Sequence, residues 1–145
     1  SGCLETLVSE PVILREANIL QQSEPDGILA NLVSAEPNRD RLELIFKSAR
    51  QGDSAVRALL EERAYFLGVA LANLVNLYNP ELIILGGIYS EGEDLFIDPL
   101  RKTVEKMAFA NLGSRVRIHA TVFGWKAGVC GAAALALTHF FYHLD

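Results

Sequence analysis

The run Asn73-Leu74-Val75-Asn76-Leu77-Tyr78-Asn79-Pro80-Glu81-Leu82-Ile83-Ile84-Leu85-Gly86-Gly87 constrains the fold more than any other segment. Pro80 lacks an amide hydrogen and its ring clashes with a preceding helical turn, so a helix must end before it. Asn79, directly before the proline, is pushed out of the helical region. Leu82 to Leu85 is a short apolar run, of the kind that forms a strand covered on both faces. Gly86-Gly87 then permits a tight turn, or a close backbone approach, at the strand's carboxyl end. In open α/β sheets ligands bind at that end.

The rest of the chain can be placed around this run. Leu4 to Val8 reads as one or two helical turns. Ser9 caps a following helix with Pro11 in its first turn, where the missing amide is harmless. That helix turns Val12, Ile13, Ala17 and Leu20 inward. Gln21 to Gly27 reads as a loop, Ile28 to Val33 as a weak apolar patch, and Glu36 to Asp40 as a second, protease-sensitive loop. Arg41 to Arg50 is amphipathic, with Leu42, Ile45, Phe46 and Ala49 on one face. Asp53 caps the next helix, which reaches about Tyr78 and carries Val56, Leu59, Leu60, Tyr65, Leu67 and Leu71 inward. Ala64, Gly68 and Ala72 form a stripe of small residues that lets a neighbouring helix come close. Glu61-Glu62-Arg63 reads as a solvated face of the same helix.

Beyond the glycines, Ile88 to Asp94 reads as a loop and Leu95 to Ala110 as a helix with Pro99 early in it, ended by Asn111-Leu112-Gly113. Arg115 to Phe123 alternates, with Val116, Ile118, Ala120 and Val122 on one side and Arg117, His119 and Thr121 on the other, as in a half-exposed strand. Gly124 turns the chain into a helix over Ala127 to Tyr142. The order is a helical first half (1–79), then β-α-β-α (80–145), with one right-handed crossover. Two strands rarely stand alone, and a parallel pair needs both faces covered. The sheet is therefore expected to be completed from outside this chain, unless Ile28–Val33 hides a third strand.

Charge and cysteine content narrow the function. A net charge of −5 without a cluster of basic residues argues against nucleic-acid binding by this segment. Two cysteines, Cys3 and Cys130, make no disulfide framework, and a reducing cytoplasm is the expected setting. The apolar stretches Ala64–Tyr78 and Ala127–Tyr142 fall short of the roughly 20 residues a spanning helix needs, so no membrane association is expected. Cys3 opens a helix, where a thiolate is favoured, and is open to two readings: metal ligand or small buried residue. Cys130 reads as core and His119 as exposed. His139 and His143, four apart, have a spacing that can bind metal. Phe140, Phe141 and Tyr142 are expected either to pack on another lobe or a dimer partner, or to fray.

Gly2-Cys3-Leu4-Glu5 followed by Ser9-Glu10-Pro11 resembles the end of the signature of the ROK family (repressor, open reading frame, sugar kinase). Ala72 to Pro80 leading to Ile84-Leu85-Gly86-Gly87 is similar to that family's later motif, and Ala127-Gly128-Val129-Cys130-Gly131-Ala132-Ala133 to its C-terminal helix entrance. The matches occur in the family's order and cover nearly the whole chain. The resemblance implies an α/β fold: the C-terminal part of an actin-like ATPase, or ribonuclease-H-like sugar kinase, domain. It implies that Cys3 is the last cysteine of C-x-C-G-x-x-G-C-x-E, a zinc ligand in the full-length protein whose companions lie upstream of Ser1. Glu5 matches the glutamate that contacts sugar hydroxyls.

Two branches of the family then compete. In the repressor branch, of the NagC/XylR type, the domain binds a sugar or sugar derivative as effector. It changes the spacing of two DNA-reading helix-turn-helix heads, here absent, in a homodimer or higher oligomer. In the glucokinase-type branch, Gly86 and Gly87 line a nucleotide cleft for ATP and Mg, and the catalytic aspartate and phosphate loop lie upstream. On either reading this chain alone catalyses nothing, so no catalytic residue is assigned. Thr6 to Pro11, Ile88 after Gly87, and Phe123-Gly124-Trp125-Lys126 before Ala127-Gly128 favour the repressor. A ligand-free interaction module is the third reading.

Overall fold

The computed structural model describes residues 2–141. The chain orders as α1 (Glu5–Val8), α2 (Glu10–Ser23), α3 (Ile28–Ala35), α4 (Arg41–Arg50), α5 (Ser54–Tyr78), β1 (Leu82–Leu85), α6 (Ile88–Glu91), α7 (Glu93–Met107), α8 (Leu112–Arg115), β2 (Arg117–Ala120), a 3₁₀ turn (Gly124–Lys126) and α9 (Ala127–Phe141).

Aspartates set the starts of two helices. The Asp40 carboxylate accepts from the Leu42 and Glu43 amides at 2.9 and 3.1 Å, capping α4. Asp53 is buried and serves two helices at once. Its Oδ1 accepts from the Val56 amide at 3.1 Å, capping α5. Its Oδ2 accepts from the Leu29 amide of α3 at 3.3 Å and from the Ser48 hydroxyl at 2.7 Å. A helix start, a neighbouring helix and the end of α4 thus meet on one carboxylate.

The central element is α5. It packs most extensively on α7, and also on α1, α2 and α4. The small-residue stripe permits this approach: a Cβ on Gly68 would lie 2.7 Å from Thr103 Cβ and 3.2 Å from the Leu100 carbonyl oxygen. Ala64 and Ala72 are buried on the same stripe. Phe96, Ile13, Leu44, Ile45, Leu60 and Leu100 are fully buried in the core, each contributing about 1.5–3 kcal/mol by leaving water.

The strands β1 and β2 pair in parallel, with Ile83 opposite Ile118 and Leu85 opposite Ala120. Leu85 and Ile118 face the core. Asn79 ends α5 in the left-handed conformation, φ 45°, and Pro80 prevents its continuation.

Several expectations change. Ile28–Val33 is helical, so the described residues hold two strands. The strand β1 is covered on one face only: Leu82 and Ile84 are exposed, Ile84 to 63%. Gln21 to Ser23 continue α2, so the loop begins at Glu24. Ile88–Asp94, expected as a loop, holds α6 and the start of α7, because the Ser90 and Glu91 amides close a turn onto the Gly87 carbonyl. The helix α7 stops at Met107, and Leu112 opens a further helical turn rather than only ending one. Tyr65 lies outward, and Val122 is exposed because β2 ends two residues before it. Among the described residues no helix is long and apolar enough to cross a membrane.

Candidate functional site

Cys3 and Glu5 sit together on one small turn. Glu5 is the first residue of α1, and Cys3 precedes it by two; both are exposed. The Cys3 carbonyl accepts from the Thr6 amide at 3.0 Å and the Thr6 hydroxyl at 2.6 Å, which closes the turn. Cys3 is therefore not the small buried residue that one of its two readings held it to be.

A turn of four residues has too few internal hydrogen bonds to hold itself. Its last carbonyls are captured from distant parts of the chain. Arg63 of α5 donates from Nη1 to the Leu7 carbonyl at 3.1 Å. Tyr89 of α6 donates from its hydroxyl to the Val8 carbonyl at 2.6 Å. Val8 itself is buried against the core.

Glu61 and Glu62 are exposed, as the solvated-face reading expects, but Arg63 is not. It is only 9% exposed, its Nη2 pairs with Glu62, and its guanidinium lies over the Phe66 ring at 5.6 Å. Tyr89 packs on Phe96 with ring centroids 4.7 Å apart. Burial pushes the Tyr89 phenol well above its ordinary value, and the nearby Arg63 charge acts in the opposite direction. Tyr89 was not singled out from the sequence, and Arg63 only as part of a solvated face. The signal for Arg63 was its spacing: it falls four residues after Leu59 and four before Leu67, on the inward stripe of α5.

Gly86 and Gly87 lie exposed at the carboxyl end of β1. Gly87 adopts φ 60°, ψ −138°, a conformation that side chains disfavour, and a Cβ there would meet nothing within 4 Å. The backbone is thus open to close approach. The Thr121 amide donates to the Leu85 carbonyl at 2.8 Å and closes the same end of the sheet. Beyond it, the 3₁₀ turn packs on α6 and carries Trp125 and Lys126, with the Lys126 ammonium 5.5 Å from the Trp125 ring centroid. Tyr89 lies two residues after Gly87, so its bond to Val8 ties the glycine turn to the turn that bears Glu5.

The donor set does not make a zinc site within this chain. Among the described residues no group of three or more His, Cys, Asp or Glu side chains could hold a metal. Cys3 offers one thiol. Cys130, expected in the core, is exposed on α9. His119 is exposed, as expected. His143 and Tyr142 lie outside the described residues, and with them the His139–His143 spacing.

A parallel strand pair with helices packed on one face and a glycine turn at the carboxyl end of its first strand makes an α/β domain, and its likeness to a solved sugar kinase places the fold in the actin-like sugar-kinase class. The chain belongs to the ROK family, whose family model matches residues 1–139. It is 29% identical to a xylose repressor of Caldicellulosiruptor bescii over 94% of this chain and 34% of that protein. It is 32% identical to a glucokinase of Streptomyces coelicolor over 93% of this chain and 44% of that enzyme. The crystal structure of a ROK family glucokinase from Streptomyces griseus, in complex with glucose and AMPPNP, superimposes with a TM-score of 0.77 at 29% identity, covering 93% of this chain and 44% of that one. The chain thus spans about a third of the repressor's length and under half of either glucokinase.

Proposed function

We propose that this chain is the C-terminal, effector-binding and dimerising part of a cytoplasmic ROK transcriptional regulator that responds to a sugar or sugar derivative. Glu5 contacts the sugar hydroxyls, as its match to the family glutamate implies. DNA is read by a helix-turn-helix carried elsewhere in the protein. Cys3 serves as one zinc ligand, with its companions outside this chain; zinc, when bound, would fix the backbone just ahead of Glu5.

The observation that carries the regulator reading is the pair Trp125 and Lys126. They lie directly before Ala127-Gly128, where the family resemblance implies that kinases often carry an acidic pair, on a turn that packs against α6 beside Gly86 and Gly87. The exposed Trp125 indole with the Lys126 ammonium over its ring makes a bulky, cationic pair there instead. The kinase reading keeps one observation of its own: the open backbone at Gly87, in a chain similar to a glucokinase solved with AMPPNP.

Titration calorimetry of the intact protein with D-glucose, D-xylose and AMPPNP separates the two. The regulator reading expects a sugar to bind and release operator DNA, with AMPPNP inert. Binding of AMPPNP together with ATP-dependent sugar phosphorylation would establish the kinase. In either case Glu5→Gln should weaken sugar binding about ten-fold or more, through loss of a charged acceptor. Unchanged affinity would remove Glu5 from the site. Metal analysis should find zinc in the intact protein but not in residues 1–145 alone; equal zinc in both would mean a different ligand set.

A further inference from the structure

We infer that Arg63 and Tyr89 are positioning residues: they clamp the two last carbonyls of α1 and so set where Glu5 stands. The sugar role of Glu5 rests on the function proposed above; the clamp rests on geometry alone. The C-terminal carbonyls of any helix lack partners within the helix. In α1 those of Leu7 and Val8 are met by groups 56 and 81 residues further on. One of the two donors is a guanidinium, which makes the stronger, charge-assisted bond.

Arg63 is poorly suited to a purely stabilising role. It is nine-tenths buried, and its Nε has no hydrogen-bond partner among the described residues. An apolar side chain would fill the inward stripe of α5 without that orphaned donor. What such a residue could not do is hold the Leu7 carbonyl. Tyr89 likewise has its ring among core residues and needs its hydroxyl only for Val8. Because α6 begins directly after Gly87, the hydroxyl also fixes the α1 turn relative to the carboxyl end of β1. The two donors approach from different elements, α5 and α6. Together they restrain both the tilt of the turn and its distance from the sheet.

The test uses the intact protein with Tyr89→Phe, which keeps the ring and deletes one hydroxyl, and Arg63→Met, which keeps the apolar stem. Amide exchange at residues 5–9 should quicken at least five-fold in either variant, while the amides of α5 and α7 keep their protection. The Kd for D-glucose or D-xylose, whichever binds, should rise five- to ten-fold. In a Glu5→Gln background, Tyr89→Phe should add less than two-fold, because it acts through Glu5. Unchanged exchange at residues 5–9 in both variants overturns the clamp. An equal loss of affinity in both backgrounds overturns the positioning role. If Glu5→Gln alone leaves sugar binding untouched, the sugar reading of Glu5 fails, and the exchange experiment still decides the clamp.

Discussion

Asp53 shows how much of this fold can rest on one side chain. Its part as the α5 cap follows from sequence, since an aspartate after glycine and before an inward apolar pattern is a helix start. Its bonds to Leu29 and Ser48 do not, because they join residues that only the folded chain brings together. Asp53→Ala would uncap α5 and leave the Leu29 amide and Ser48 hydroxyl buried without their acceptor. Urea denaturation should report a loss of about 2–4 kcal/mol. A loss below about 1 kcal/mol, the size of an ordinary exposed cap, would mean that water replaces the carboxylate and that the three-way junction is dispensable. Arg63 and Cys130 mark the opposite limit of sequence reasoning. A charged residue beside two glutamates reads as solvated, yet burial is decided by the stripe it falls on. A cysteine among small residues reads as core, yet α9 finds little in this chain to pack against.

At the level of elements, the long pieces were legible and the short ones were not. Pro80, the apolar run and the glycine pair mark the end of α5 and the course of β1, and alternation marks β2. The turns α6 and α8 span four residues each, too few for a 3.6-residue period to show. Connections between elements were equally hidden. Arg50 at the end of α4 donates to both carboxylate oxygens of Asp94 in the first turn of α7, at 2.9 and 2.6 Å. Hydrogen bonding and charge from Arg50 hold the Asp94 carboxyl below its ordinary value, against a smaller opposing effect of burial. A depressed acid stabilises the fold above its unfolded value of 3.8, and that stability is lost as pH falls through the lower folded value. The pair is largely exposed, so solvent screening limits it to about 0.5–1 kcal/mol. Asp94→Asn should cost that much at pH 7 and nothing once the pH is well below 3.8. A cost that persists unchanged into acid would show that the carboxylate's charge is not what joins α4 to α7.

The whole molecule carries an imbalance that neither residue nor element explains. One side is a finished core built around α5 and α7. Elsewhere, apolar side chains stand in solvent: Leu77 and Tyr78 on the last turn of α5, Leu82 and Ile84 on β1, and Val129, Leu135, Leu137 and Phe140 along α9. Isolated exposed apolar residues are ordinary, but a strand face and a helix bare in this way are typical of surfaces that other protein covers. The chain spans only a third to under half of its relatives. The bare outer face of β1 matches what strand pairing leads one to expect of a sheet that other protein covers. Each of the two strands also has one edge unpaired among the described residues, and an unpaired edge is a template for association. Residues 1–145 expressed alone should therefore self-associate at tens of micromolar, and sedimentation should show a weight-average mass that rises with concentration. Ile84→Glu and Leu135→Glu together should lower that association without lowering the unfolding midpoint, since both side chains already face water. A stable monomer across that range, binding neither D-glucose nor D-xylose, would instead favour a self-sufficient interaction module. The exposed face would then be an ordinary surface rather than one half of a larger domain.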